Sequence, residues 1–250
     1  MLRTRSYGES DRIVTFITRD HGKLTGIAKG AKNSRKRFGG TLEPFVNVRV
    51  VFRLRPASDL AFLLRCELIA PLRGFTEDLD RWAAGTYVLE LTDRMVMGRE
   101  PGAEVYGLVG EALALLDAGT PPPPLLRAFE MHLLAASGWA PAIDRCRDCN
   151  APAQDGGMLY LDAHHAGLLC RGCVPEDHPV RPVRGAVALA LALLADGPLA
   201  GASQRAAALS DTRPGAPSWA SEMHAVAEQL VGSVTHGPLR SRAFLGGLVR

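Results

Sequence analysis

The sequence predicts a multidomain α+β protein: short strands closing into a small barrel at the amino end, helices after them, and a cysteine-rich module inserted among the helices. Three observations lead there. Apolar residues alternate with a period of two up to about residue 70, then recur every three to four residues from about Thr76. The charge changes sign at the same place. Residues 1–75 hold fifteen Lys and Arg against six Asp and Glu, a net of +9, while residues 76–250 hold fourteen against twenty, a net of −6. Finally, Cys146, Cys149, Cys170 and Cys173 form two C-x2-C pairs separated by twenty residues.

A chain of 250 residues can bury one large core or two modest ones, and the division of charge favours two or more domains. With 47% hydrophobic and 22% charged residues it reads as an ordinary globular chain, which excludes wholesale disorder. The longest apolar stretch, Gly185 to Ala195, falls short of the ~20 residues that a bilayer span requires. Met1-Leu2-Arg3-Thr4-Arg5 leads into no apolar segment of a secretory signal, so the expected compartment is the reducing cytoplasm, with no membrane partner. In that compartment paired cysteines serve as metal ligands more often than as disulfides.

Five strands are expected at Leu2–Tyr7, Arg12–Thr18, Lys23–Lys29, Val46–Leu54 and Leu60–Ile69, with turns at Asp20-His21-Gly22 and Pro56-Ala57-Ser58-Asp59. The fourth has the clearest pattern. Val46, Val48, Val50, Phe52 and Leu54 alternate with Asn47, Arg49, Val51, Arg53 and Arg55, giving a core face and a largely cationic face. Five short strands in about 70 residues with no long helix between them suit a closed barrel of the OB type, over residues 1–75.

The helical pattern runs through Leu79, Trp82, Ala83, Thr86 and Leu89 to about Met97, then through Ala103–Asp117 and Leu125–Ser137. Thr120-Pro121-Pro122-Pro123-Pro124 is expected to be a stiff spacer, because prolines lack the amide donors that continue a helix. Further helices are expected at about Gly185–Ala195 and Ser218–Thr235, with a loop at Asp196–Pro217. The expected division is residues 1–75 for the barrel, 76–143 and 180–250 for a helical domain, and 144–179 for the cysteine module.

Two thiolates spaced C-x2-C grip one edge of a metal from a tight knuckle, and a second knuckle completes a tetrahedral four-sulfur site. Between the knuckles a hairpin is expected, with a Gly156-Gly157 turn, Met158-Leu159-Tyr160-Leu161, a polar Asp162-Ala163-His164-His165 turn and Gly167-Leu168-Leu169. Cys146, Cys149, Cys170 and Cys173 together predict a structural zinc, with no open position for catalysis. His164 and His165 read as turn residues beside four thiols. Cys66 has no partner in sequence and reads as a small core side chain.

All four lysines lie within Lys23–Phe38, along with two arginines. Cations packed that densely gain most beside a polyanion, whose condensed counterions they displace. Lys23, Lys29, Lys32, Arg35, Lys36 and Arg37 are the candidate phosphate ligands, with Arg49, Arg53 and Arg55 extending the same basic body. Phe38 and Phe45 could offer stacking faces to bases, although an aromatic among strands more often packs in the core. Catalytic signatures are missing: there is no P-loop, no H-x-E before P-C-x-x-C, no G-x-S-x-G and no H-E-x-x-H. The pair Glu9 and Asp11 reads as part of a turn that caps the following strand. A binding protein is expected, not an enzyme.

Residues Tyr7-Gly8-Glu9-Ser10-Asp11-Arg12-Ile13-Val14-Thr15-Phe16-Ile17-Thr18, followed by Ala28-Lys29-Gly30-Ala31 and Leu42-Glu43-Pro44-Phe45, resemble the start of the bacterial RecO recombination-mediator family. Phe129-Glu130-Met131-His132-Leu133-Leu134, Gly138-Trp139-Ala140-Pro141, Gly167-Leu168-Leu169-Cys170 and Pro238-Leu239-Arg240-Ser241-Arg242-Ala243-Phe244-Leu245 are similar to later parts of the same family. The resemblance implies an N-terminal OB domain, a helical domain and a zinc module. It also implies binding to single- and double-stranded DNA, annealing of complementary strands and contact with single-strand-binding protein. Cooperation with RecR in loading RecA follows from it too, as does a nucleoid-associated place in the cytoplasm. The segment Asp196–Pro217 matches nothing in that pattern. The rival expectation is an RNA-binding or ribosome-associated factor, since OB barrels and four-cysteine knuckles also serve there.

Overall fold

A computed structural model describes residues 1–55, 58–99, 102–162, 167–177, 179–208, 219–235 and 237–245. The chain divides into two compact units, Met1–Gly119 and Thr120–Arg250. The change from strands to helices falls near residue 75 as the periodicity indicates, but packing groups the first two long helices with the strands.

Strands β1 (Arg3–Tyr7), β2 (Asp11–Thr18), β3 (Gly22–Ala28), β4 (Val46–Arg55) and β5 (Ser58–Pro71) fall where alternation places them. They pair in the order β1-β2-β3-β5-β4, with β3 and β5 parallel and the other pairs antiparallel. That order defines the OB barrel. Val14, Phe16, Leu24, Ala28, Ala61, Leu63 and Cys66 fill it, joined by Phe38 and Leu42 from the connection between β3 and β4. Burial pushes the Cys66 thiol up to about 11, as befits a core side chain. Gly26 sits between Leu24 and Ala28, where an added Cβ would run into Leu63 and Ala61.

The alternation in β4 is only partly kept. Val46, Val48, Val50 and Phe52 are half-buried, while Leu54, expected in the core, is exposed. The β4–β5 register shifts at Asn47/Val48, Val51/Phe52 and Arg53/Arg55, and the last shift takes Leu54 out of the inward row.

A short helix, α1 (Arg35–Phe38), lies in the connection between β3 and β4 and carries Phe38 into the core, so this aromatic is not a stacking face. Phe45 is likewise in the core. It stacks on Phe75 with ring centroids 4.2 Å apart and planes 6° from parallel, and its backbone is held at φ 58, a region that non-glycine residues rarely adopt. The stack lies against Gly85 of α2 (Leu79–Met95), where a Cβ would strike both rings. Asp78 caps α2, its carboxylate accepting from the amides of Asp80 and Arg81. α2 packs against β1, and α3 (Ala103–Asp117) packs against β2.

In the second unit, α4 (Pro122–Ala136) begins inside the proline run. Pro122, Pro123 and Pro124 form its first turn, where amides have no intrahelical acceptor to lose, so the spacer is confined to Thr120 and Pro121. α5 (Gly185–Ala195), α6 (Ala202–Ala208), α7 (Trp219–Val234) and α8 (Arg242–Leu245) complete the helices. Part of the expected Asp196–Pro217 loop is therefore ordered as α6 and a preceding 3-10 turn at Leu199–Gly201, while residues 209–218 lie outside the described residues.

A sheet of order β7-β6-β8 joins β6 (Met158–Asp162), β7 (Gly167–Leu169) and β8 (Val180–Arg184). β6 and β7 make the expected hairpin. The third strand, which periodicity does not indicate, begins just past the expected boundary at residue 179, pairs back onto β6 of the cysteine module and leads straight into α5.

Between α4 and α7, Arg127 and Glu130 form an ion pair of 2.7 Å with both side chains buried, and Arg127 also meets His224. Glu228 faces His224 and accepts from Arg242 at 3.0 Å. Burial and the Arg127 guanidinium push the His224 pKa down.

These packings are open to test by denaturation. Gly85→Val should destabilise the first unit by about 2–3 kcal/mol in urea, because two packed rings must move. A folded-state imidazole pKa below the unfolded one means that the contribution of His224 is complete above the unfolded value and is lost as pH falls through the histidine range. Between pH 7.5 and pH 5.5, His224→Gln should therefore lose less stability than the natural chain does.

Candidate functional site

Two features with chemical potential emerge, one in each unit. In the second unit, the first knuckle is built on a turn in which the Asn150 amide donates to the Cys146 carbonyl at 2.9 Å and Asn150 takes φ 62. Arg147 ties it to β7, its amide donating to the Leu168 carbonyl at 2.8 Å and its guanidinium reaching Asp148 at 2.9 Å and Asp162 at 3.2 Å. The second knuckle is the 3-10 turn Arg171–Cys173, closed by the Cys173 amide on the Cys170 carbonyl at 3.0 Å. The hairpin thus returns Cys170 and Cys173 to Cys146 and Cys149.

All four Sγ atoms lie within 4.8 Å of one another, and those of Cys149 and Cys170 are 3.6 Å apart. Four sulfurs at ~2.3 Å from a central ion would be ~3.8 Å apart, so the donors are already near tetrahedral spacing. Burial opposes ionisation of Cys146, but the amides of Cys149, Cys170 and Asp148 aim at its sulfur and bring it down to about 6. Cys173 is pushed up to about 12 by the sulfurs of Cys170, Cys149 and Cys146. One thiolate forms easily and further negative charge is resisted, a deficit that a divalent cation would fill. The set fits a closed structural metal site. His164 and His165 lie outside the described residues.

In the first unit, register places the cations. Val14 and Phe16 point into the barrel, so Ile13 and Thr15 point out, and the residues paired directly with them share that outer face. Its rows are Arg3–Thr15–Thr25, Arg5–Ile13–Ile27 and, at the end, Tyr7–Asp11. Ile13 and Thr15 are only 6% and 3% exposed, because α3 and α2 cover this part of the face. At the covered end, the Lys23 amine donates to the Asp93 carbonyl at 2.6 Å and lies 3.5 Å from its carboxylate, which Arg3 also approaches at 3.7 Å. Lys23 therefore departs from the expectation of a free phosphate ligand: α2 brings an acid to it.

The opposite end is open. Lys29, Lys32, Arg35, Lys36 and Arg37 are exposed, and among the described residues none of them pairs with a carboxylate within 4.0 Å. The loop that carries them is tied down at several points. The Asp11 carboxylate accepts from the Gly30 amide at 2.8 Å and from the Ser10 hydroxyl at 3.0 Å. Lys32 donates from its amide to the Ser10 carbonyl at 2.9 Å and from its amine to the Gly8 carbonyl at 3.0 Å. Arg37 donates to the Lys29 carbonyl at 2.9 Å and to the Ser34 hydroxyl at 3.1 Å. The Gly30 amide, helped by Ser10 and the adjacent Lys29 and Lys32, holds the Asp11 carboxyl below its ordinary range.

Arg53 is level with Phe62 and hence with Ile27 of β3, while Arg49 lies opposite Glu67, further toward the end where the loop begins. Both arginines are exposed. Glu67 sits among them, paired with Arg65 at 3.1 Å, so this flank is less purely cationic than the loop. The side chain of Arg55 lies outside the described residues. Arg5 and Tyr7, both exposed at the open end, join the site although charge density does not single them out. Their signal in the sequence is the odd-numbered alternation of β1 and the tight turn at Gly8.

An OB barrel with an anchored cationic loop, carried in one chain with a four-thiol helical unit, is the class of protein that fold and site define. The chain belongs to the RecO family of DNA repair proteins. Residues 1–72 match the family model described as Recombination protein O N terminal, and residues 76–215 match Recombination protein O C terminal. It is 43% identical over 204 residues to the DNA repair protein RecO of Anaeromyxobacter sp. (strain Fw109-5), covering 81% of this chain and 80% of that one. It is 39% identical over 185 residues to the RecO of Syntrophus aciditrophicus (strain SB), covering 73% and 71%. With the RecO of Bacillus subtilis (strain 168) the identity is 33% over 185 residues, covering 73% and 71%. No helix among the described residues is long and apolar enough to cross a membrane.

If the four thiols hold one ion, Cys146→Ser should lower metal content, measured by elemental analysis of the purified chain, from about one equivalent to well under half. Its melting temperature should fall on the order of 5–10 °C, the second unit losing a cross-link between its two knuckles.

Proposed function

We propose that this protein is a recombination mediator. It binds single strands through the open end of its OB barrel, anneals complementary strands, and helps load recombinase onto DNA coated with single-strand-binding protein. The observation that carries this reading is the anchored loop from Lys29 to Arg37, whose cations are exposed and, among the described residues, form no ion pair within 4.0 Å, while its backbone is fixed by Asp11, Ser10 and Gly8. Membership of a DNA repair family supports it.

A phosphate on such a surface displaces condensed counterions, and no base edge need be read. That is what annealing requires: two strands screened from each other with their bases left free. Lys29, Lys32, Arg35, Lys36 and Arg37 are the phosphate ligands in this reading, with Arg49, Arg53 and Arg55 along the flank. Residues 1–75 contact DNA, duplex as well as single-stranded. The acidic remainder, net −6, meets RecR and single-strand-binding protein, and acts on RecA through them. The ion at Cys146, Cys149, Cys170 and Cys173 is zinc, since four thiolates in a closed tetrahedron suit it and leave no position for a reacting water. The protein acts by binding, without turnover of its own, in the cytoplasm at the nucleoid.

If the loop neutralises about four to six phosphates, log affinity for a single strand should fall with log salt at a slope of about −3 to −4. Replacing Arg35 and Lys36, whose side chains do not brace the loop, by Ala should make that slope shallower by about 1.4. Fluorescence anisotropy over a salt series measures both. An affinity independent of salt, or a double variant with unchanged slope, would overturn the assignment.

A further inference from the structure

The aromatics of the barrel sort into two groups. Phe16, Phe38, Phe45 and Phe75 are buried, and Phe52 and Phe62 are half-buried. Tyr7 is 54% exposed at the last position of β1. Among the described residues its hydroxyl makes no hydrogen bond and its ring meets no other aromatic, so nothing in the packing of the barrel accounts for a large ring at this position.

Its surroundings do account for one. Tyr7 opposes Asp11 across the β1–β2 pair, and the Asp11 carboxylate in turn accepts the amide of Gly30, the residue after Lys29. Arg5 stands two residues back on the same face of β1, exposed and without an ion pair among the described residues. The next carbonyl along the chain, that of Gly8, accepts the Lys32 amine at 3.0 Å, which brings the basic loop beside the ring. α2 and α3 stop short of this row: they bury Ile13 and Thr15 but leave Arg5 and Tyr7 open. An exposed aromatic face thus has Arg5 on its own strand and Asp11 opposite it, with the loop of Lys29 and Lys32 anchored to that carboxylate and to the carbonyl next to the ring.

We propose that Tyr7 is the base-stacking platform of this protein, taking one unpaired base on its ring while Arg5 and Lys29 take the phosphates on either side. This rests on the reading that the open end binds DNA and adds a ligand class to it, a single strand with exposed base faces. A base inside a duplex already has both faces stacked and has none to offer. Phosphate contacts do not distinguish the two forms, whereas a ring does. Stacking accepts any base, because every base has a π face, so the platform favours single strands without favouring a sequence.

The test compares Tyr7→Ala, Tyr7→Phe and Tyr7→Leu with the natural chain. The ligands are a labelled oligothymidylate, the same strand with abasic sites throughout, and a duplex of equal length. Tyr7→Ala should bind the oligothymidylate about 5- to 100-fold more weakly, and Tyr7→Leu should lose most of the same affinity, because each lacks a π face. Tyr7→Phe should stay within about twofold of the natural chain, since the platform uses the ring and not the hydroxyl. On the abasic strand and the duplex all four should agree within about twofold, with unchanged salt slopes, because no charge is removed. Melting curves show whether the variants fold, and an exposed ring leaves no cavity when truncated.

Equal losses on all three ligands, no loss on the oligothymidylate, or a Tyr7→Phe that fails like Tyr7→Ala would overturn the platform while leaving the cationic loop standing. A natural chain that binds none of the three would overturn the DNA reading itself, and the platform with it.

Discussion

A carboxylate holds the basic end of the barrel together. Five cations crowded into the stretch from Lys29 to Arg37 repel one another, and a free loop would spread them into solvent. Asp11 opposes that by accepting the Gly30 amide, at the point where the chain leaves β3 with a positive φ and a glycine is needed. Lys32 then clasps the β1–β2 turn from its amide and its amine, and Arg37 closes the loop back on the Lys29 carbonyl. Because these bonds fix the backbone, the exposed charges would meet the phosphate chain of the proposed ligand with less ordering left to do, which is how preorganisation raises affinity. Glu43 offsets Arg12 nearby at 2.5 Å, outside the loop.

The two ends of the outer barrel face have opposite fates, for one reason. At the end near Arg3 and Lys23, α2 supplies Asp93, an anion already in place where an incoming phosphate would sit. At the other end Arg5, Tyr7 and Lys29 stay exposed. The helices of the first unit therefore select which part of a generic ligand-binding face is available. They also hold the connection before β4, through the stack of Phe45 and Phe75 on Gly85.

Much of this is legible in the sequence because it rests on local patterns. Alternation locates the five strands to within two or three residues, and C-x2-C spacing locates both knuckles, since a tight turn is a property of a few adjacent residues. What escapes is set by distant contacts. Nothing near Lys23 in sequence announces Asp93, seventy residues on. Phe38 and Phe45 lie in a polar stretch, yet a single helical turn swings one into the barrel and a strained φ swings the other onto Phe75. The proline run defies expectation because the rule against proline in helices spares the first turn, and β8 is hard to see because Val180–Arg184 is short, basic and interrupted by Pro182. Tyr7 and Arg5 are within reach, since pairing across the Gly8 turn sets them opposite Asp11 and Ile13, but charge density points to the loop alone.

If single-stranded DNA lies across the open end of the barrel, over the β1 terminus and the anchored loop, both must become protected when it binds. Amide hydrogen exchange of the intact protein, with and without a saturating oligothymidylate, tests this most directly. Slowed exchange concentrated in residues 5–10 and 29–38, with the segment around Arg3, Lys23 and Asp93 unchanged, is the expected result. Slowing centred on the cysteine module or on the end covered by α2, with the loop unaffected, would contradict the account.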